Sequence, residues 1–138
     1  MEREIVIFPK EEVYSMGLDS YNGQAGATLI LLFEGYTVEE IRSISNDDLK
    51  DPKFTSNKEL FQLLDAAGKE EEWVDTEDDK VIQLPLSKDG FVFREGEGHQ
   101  ISIDTFNKRV EDELKANGYF EVGAQDIIES GKYYRKSN

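Results

Sequence analysis

Read residue by residue, this chain is expected to be an α+β protein, a single domain over residues 1–138. An antiparallel sheet of about five strands would pack against two or three helices. Three observations point that way. Apolar residues recur at helical spacing beside capping residues in three stretches, short apolar or alternating runs crowd the chain after Gly68, and neither a linker nor an internal repeat divides it. The 138 residues, 38% of them hydrophobic and including eight Phe, six Tyr and one Trp, suffice to bury a core without disulfide or metal.

The elements follow in order. Ile5–Phe8 is apolar and ends at Pro9, which cannot donate to a ladder, so it reads as an opening strand. Lys10 to Gly17 fits one helical turn, with Val13 and Met16 on a common face. Gly17 through Gly26 holds Asp19, Ser20, Asn22 and three glycines, and reads as loop. Ala27 to Phe33 is interrupted only by Thr28 and stopped by Glu34-Gly35, as a buried strand would be. The run is too short to span a bilayer, which takes about 20 residues. Thr37 and Glu40 have the spacing of a capping box ahead of Val38, Ile41 and Ile44, which predicts a helix over Val38–Ser45. Asn46 to Pro52 reads as loop. Ser56 and Glu59 repeat the capping pattern, and Leu60, Phe61 and Leu64 share a face, so a second helix covers Asn57–Ala67 and stops at Gly68.

Beyond Gly68 the pattern turns strand-like. Trp73-Val74, Val81–Leu84, Phe91–Phe93 and Ile101–Ile103 read as strands, with Lys88-Asp89-Gly90 and Gly96-Glu97-Gly98 as turns. Asp104 is placed to cap a third helix, Thr105–Ala116, in which Phe106, Val110 and Leu114 lie four apart and Asn117-Gly118 closes the end. The tail from Tyr119 to Arg135 reads as a short strand and a hairpin over Ser130-Gly131.

Charge constrains function more than any motif does. Thirty acids face 16 bases, for a net charge of −14, and each side of Gly68 carries −7. Area scaling gives roughly 7,000 Å² of surface, or about one net charge per 500 Å². With a Debye length of about 8 Å, an even spread would mainly aid solubility. The spread is not even: seven of the eleven residues from Lys69 to Asp79 are Asp or Glu. Such a surface repels phosphate backbones and anionic lipid heads, which argues against direct nucleic-acid or membrane partners, and it attracts basic protein surfaces.

The run Glu70, Glu71, Glu72, Trp73, Asp75, Glu77, Asp78 and Asp79 is therefore the candidate partner-binding site. Two readings apply to it. One is a solvated loop between a helix and a strand. The other is a docking edge for a basic protein. Residues along a strand rise about 3.3 Å each, close to the roughly 3.4 Å between phosphates of one DNA strand, so the run has the spacing of a nucleic-acid mimic. Trp73 faces the core or, if exposed, anchors the interface.

Other chemistry lacks its residues. Without cysteine there is no disulfide, thiolate nucleophile or cysteine-ligated metal. An EF-hand register begun at Asp75 alternates through Glu77 and Asp79, then fails at Lys80 and Leu86, where Gly and Glu are needed. His99 is the only histidine, beside a turn, and no nucleophile-elbow pattern accompanies it. Gly23-Gln24-Ala25-Gly26 and Gly96-Glu97-Gly98 do not fit a phosphate cradle. The basic, aromatic Lys132–Lys136 is outweighed by surrounding negative charge. No catalytic residue, metal or cofactor is assigned.

The expected function is that of a non-enzymatic acidic protein occluding a partner's basic surface. Inhibitors of nucleases or of DNA-recognising defence systems, acting as nucleic-acid mimics, belong to that class. So do immunity proteins against basic toxins, and carriage by phage or mobile elements would suit either. The alternatives are a small carboxylate-dependent enzyme or accessory subunit, and an assembly protein that oligomerises through an edge strand. The opening residues show no basic leader before a long apolar run, so the chain reads as soluble and cytoplasmic.

Overall fold

The computed structural model describes residues 5–20, 22–69, 72–77, 80–85, 91–95 and 99–137; for 72–77, 80–85, 95, 99 and 137 it describes the backbone alone. The helices are α1 (Lys10–Asp19), α2 (Gly23–Glu34), α3 (Val38–Arg42), α4 (Pro52–Thr55), α5 (Lys58–Lys69), α6 (Ile103–Ala116) and α7 (Ala124–Ser137). A 3₁₀ turn covers Asn46–Lys50, and β1 (Glu72–Glu77), β2 (Lys80–Pro85), β3 (Arg94–Glu95) and β4 (His99–Gln100) complete the order.

The expected α+β sheet is overturned. The described core is helix against helix, and among the described residues strand pairing is confined to two separate antiparallel ribbons, β1 with β2 and β3 with β4. The largest error falls on Ala27–Phe33, which is the middle of a twelve-residue helix. An all-apolar run looks alike in a buried strand and a buried helix. Here Leu29, Leu31 and Leu32 favour the helix, and Gly23 to Gly26 join it upstream. Every residue from Gln24 to Phe33 is buried, as a helix with no polar face must be.

The wrapping of α2 by α1, α5, α6 and α7 forms the centre of the molecule. Two of these contacts are backbone to backbone. A Cβ on Gly26 would overlap the carbonyl oxygen of Gly17 in α1, and one on Gly131 in α7 would overlap that of Phe33. The C-terminal end of α2 closes on Gly35 at φ +103, where Gly35 N–H donates to Leu32 O at 3.2 Å and Tyr36 N–H to Leu31 O at 3.0 Å. Arg135 of α7 adds a bond to Phe33 O at 2.5 Å, placing a cation at the negative end of the helix. Tyr14 of α1 donates to Glu34 and accepts from Asn57 Nδ2 at 2.9 Å, which ties α1 to α2 and to the start of α5.

Among the described residues Ile5–Phe8 pairs with no strand. It lies extended along α7, with Val6 N–H donating to Asp126 Oδ1 at 2.9 Å, Phe8 N–H donating to Ser130 Oγ at 2.8 Å, and Lys10 Nζ 5.2 Å from the Tyr134 ring centre. The steps match: two extended residues advance about 6.6 Å, and four helical residues about 6.0 Å. Asp126 and Ser130 are both fully buried. The tail is thus helix α7, not strand and hairpin, because Ile127, Gly131 and Tyr134 recur at helical spacing.

Smaller differences share one cause, the choice of cap. Thr37 and Glu40 form the expected capping box. Ahead of α5, however, Asn57 Oδ1 accepts from Leu60 N–H at 3.2 Å, in place of a cap by Ser56. Ser102, not Asp104, caps α6 through Thr105 N–H. That makes Ile103 the first residue of α6 and removes the Ile101–Ile103 strand; Phe91 keeps a single bridge to Ser45 while Val92 and Phe93 fill the core. Helix α1 is longer than one turn, so only Ser20–Asn22 separates it from α2. Gly68 does not end α5, which runs on to Lys69.

If backbone contact sets the helix spacing, glycines at different sites respond oppositely. Gly131→Ala is expected to destabilise the protein by about 3 kcal/mol through overpacking against Phe33. Gly68→Ala, which meets only the movable Asn46 side chain at 2.5 Å and that of Leu49 at 3.7 Å, should be tolerated because it gains about 1 kcal/mol of helix propensity. Urea midpoints measure both, and equal midpoints would refute the argument.

Candidate functional site

The acidic run falls on the β1–β2 ribbon. Glu70, Glu71, Asp78 and Asp79 lie outside the described residues, while Glu72, Trp73, Asp75 and Glu77 stand on β1, whose backbone is described. Residues 72–77 are therefore paired strand in backbone terms. Asp75 is opposite Ile82 and Glu77 opposite Lys80, so residues 78 and 79 alone connect the two strands. From 70 to 90 the sequence holds eight acids and two bases. Pairing keeps successive β1 residues at the rise of a strand, about 3.3 Å. His99 stands on β4, where again the backbone alone is described.

Elsewhere some acids are committed within the fold, as Asp126 is to Val6 and Glu34 to Tyr14, and others are engaged locally. The ion pairs found among the described residues join Arg42 to Glu39, Lys69 to Asp65, Lys108 to Asp112 and Lys132 to Glu129, each three or four positions apart on one helix. Exposed pairs of this kind cancel little of the surrounding field. Glu40 and Asp48 serve as caps. Glu40 accepts from Thr37 N–H at 2.9 Å and Asp48 from Ser45 N–H at 2.9 Å, and these bonds hold both carboxyls below the usual range. With Asp51, Tyr36 and Lys53 they border a recess of about 200 Å³. Burial, and then the negative charge of Glu40 and Asp51, pushes the Tyr36 hydroxyl up.

A polar centre surrounds the N-terminal end of α2, and the sequence reading did not find it. Gln24 is buried, and its Oε1 accepts from Arg94 N–H at 2.8 Å and from Arg109 Nη1 at 3.1 Å. Arg94 is also buried and donates through Nη2 to Ala67 O, near the end of α5, at 2.8 Å. One turn beyond Arg109 on α6, Glu113 is hydrogen-bonded by Ser20. Burial raises its carboxyl above the usual range, and the Ser20 bond only partly opposes that. A glutamine at the head of an apolar run and an Arg-Glu pair four apart on α6 were the available signals.

A cleft of about 630 Å³ opens between α6 and α7. Glu111, Lys115 and Asn107 border it from α6, Gln125 and Ile128 from α7, and Glu121 from the turn between them. Glu121 has φ +62, an uncommon conformation for a residue with a side chain. Glu113 lies two positions from Glu111 and so about 200° around the helix, facing away from this cleft. Among the described residues no group of three or more His, Asp or Glu side chains could hold a metal ion, and no helix is long and apolar enough to cross a membrane. Comparison with known protein families finds no family model that matches the chain. Comparison with curated proteins finds no match either.

The raised carboxyl of Glu113 has a pH consequence. Its folded pKa lies above its unfolded one, so between the two the folded state holds the extra proton, and stability falls as pH rises through that window. Glu113→Gln keeps an acceptor for Ser20 and removes the charge. It should be more stable than the parent near pH 7 and equal to it near pH 3, below the ordinary carboxylate range. Urea midpoints at the two pH values check this, and a difference independent of pH would contradict it.

Proposed function

We propose that this chain is a non-enzymatic acidic binding protein that occludes a basic surface on another protein, with the β1–β2 ribbon as the docking element. The observation carrying the reading is the antiparallel pairing of Glu72–Glu77 with Lys80–Pro85. It sets Glu72, Asp75 and Glu77 along a regular extended backbone, with Glu70, Glu71, Asp78 and Asp79 adjoining in sequence. Asp75 and Glu77, two residues and about 6.6 Å apart, fall on one face of the strand, and a partner built to grip a phosphate backbone is attracted by such negative charge. Nucleases, DNA-recognising defence proteins and basic toxins have surfaces of that kind. Long-range attraction would raise the association rate and steric block would inhibit, with Trp73 as the apolar anchor that slows release. The absence of cysteine suits a reducing, cytoplasmic setting.

The test uses the basic protein retained from the source cell's lysate by the immobilised chain. Its association rate should fall about tenfold or more between low and high salt. The combined variant Asp75→Asn, Glu77→Gln, Asp78→Asn, Asp79→Asn should associate comparably slowly even at low salt. A rate insensitive to both salt and these substitutions would remove the mechanism.

A further inference from the structure

We propose that Ile5–Phe8 carries a self-association edge, through which two copies of the chain pair antiparallel about a two-fold axis at Val6. The two sides of the segment differ in their hydrogen bonds. One side of the segment is engaged with α7: Val6 N–H donates to Asp126 Oδ1 at 2.9 Å, Phe8 N–H donates to Ser130 Oγ at 2.8 Å, and the Ser130 hydroxyl, which donates to Asp126 O at 2.7 Å, lies 3.3 Å from Val6 O. Backbone groups alternate sides along an extended chain, so those of Ile5 and Ile7 point the other way. Among the described residues, the backbone of neither makes a hydrogen bond. The side chains around them are open too, with Ile5 40%, Val6 39% and Ile7 44% exposed. Alternate open N–H and C=O groups flanked by exposed β-branched side chains form a template for a further strand.

A second copy fits because the segment is its own complement. Ile5-Val6-Ile7 reads the same in both directions, so about an axis at Val6 each Ile5 stands opposite Ile7 of the other copy. Both isoleucine pairs are then of the kind that exchanges two N–H···O bonds, and Val6 meets Val6 in the closer, non-bonded kind. Every open backbone group is used. A slip of one residue would instead turn the committed backbone of Val6 toward the partner. The net charge of −14 on each copy opposes association. Screening over about 8 Å limits that repulsion to charges near the edge, and Asp126, the acid beneath the segment, is buried and hydrogen-bonded. Added salt therefore strengthens this contact, the reverse of its effect on a basic partner.

Sedimentation equilibrium of the full chain, from micromolar to millimolar concentration, tests the inference. The mass should rise toward twice the monomer value, and more readily at high salt. Val6→Asp and Val6→Lys preserve the backbone bonds to α7 but set like charges face to face, so each alone should remain monomeric, with helical circular dichroism confirming its fold. A one-to-one mixture of the two should recover the doubled mass, because opposite charges then meet on the axis. A parent chain that stays monomeric throughout overturns the proposal. So does a dimer that survives either variant, or a mixture that fails to recover it.

Discussion

Burying α2 on every side is the constraint from which the rest of this structure follows. A helix apolar around its whole circumference can only be stable if neighbours cover each face. Those neighbours must approach closely, or voids open along Leu29 to Phe33, where protein interiors tolerate little empty space. Gly17 and Gly26 bring α1 down to backbone contact on one side, and Gly131 does the same for α7 at the other end. A chain of this length has room for one such central element, and the remaining long helices are committed to sheathing it.

Sheathing moves the polar problem to the helix ends, where the terminal N–H and C=O groups lack partners within the helix. The C-terminal end solves it with Gly35, Tyr36 and the Arg135 guanidinium. At the N-terminal end it is the buried Gln24 side chain that is satisfied, its Oε1 accepting from Arg94 N–H and from Arg109. These groups share a role: each satisfies a neighbour that water cannot reach, and loss of one would strand another. The polar centre is accordingly read as support for α2, even though Glu113 beside it has the raised carboxyl often found at reactive sites.

Which parts were legible in the sequence follows from the same physics. Helices with one polar face announced themselves: α3, α5 and α6 were all expected near their observed places, since Val38/Ile41, Leu60/Leu64 and Phe106/Val110/Leu114 mark a stripe. The central helix did not, because a segment buried all round has no stripe and its period is lost. Helix α7 was missed for another reason. Ser130-Gly131 looks like turn chemistry, but there Ser130 anchors the N-terminal segment and Gly131 makes room for Phe33. Charge was legible as quantity and as sequence cluster, and the pairing of β1 with β2 adds the backbone register beneath it.

The attachment of Val6 and Phe8 to α7 also bears on how the chain is made. Their partners Asp126 and Ser130 lie 120 and 122 residues downstream. At about 5–20 residues per second, a ribosome needs roughly 6–24 s to supply them. Throughout that interval Val6 and Phe8 lack their α7 partners. Helix α7 secures a segment made about 120 residues earlier, so this contact closes only once α7 itself has been made.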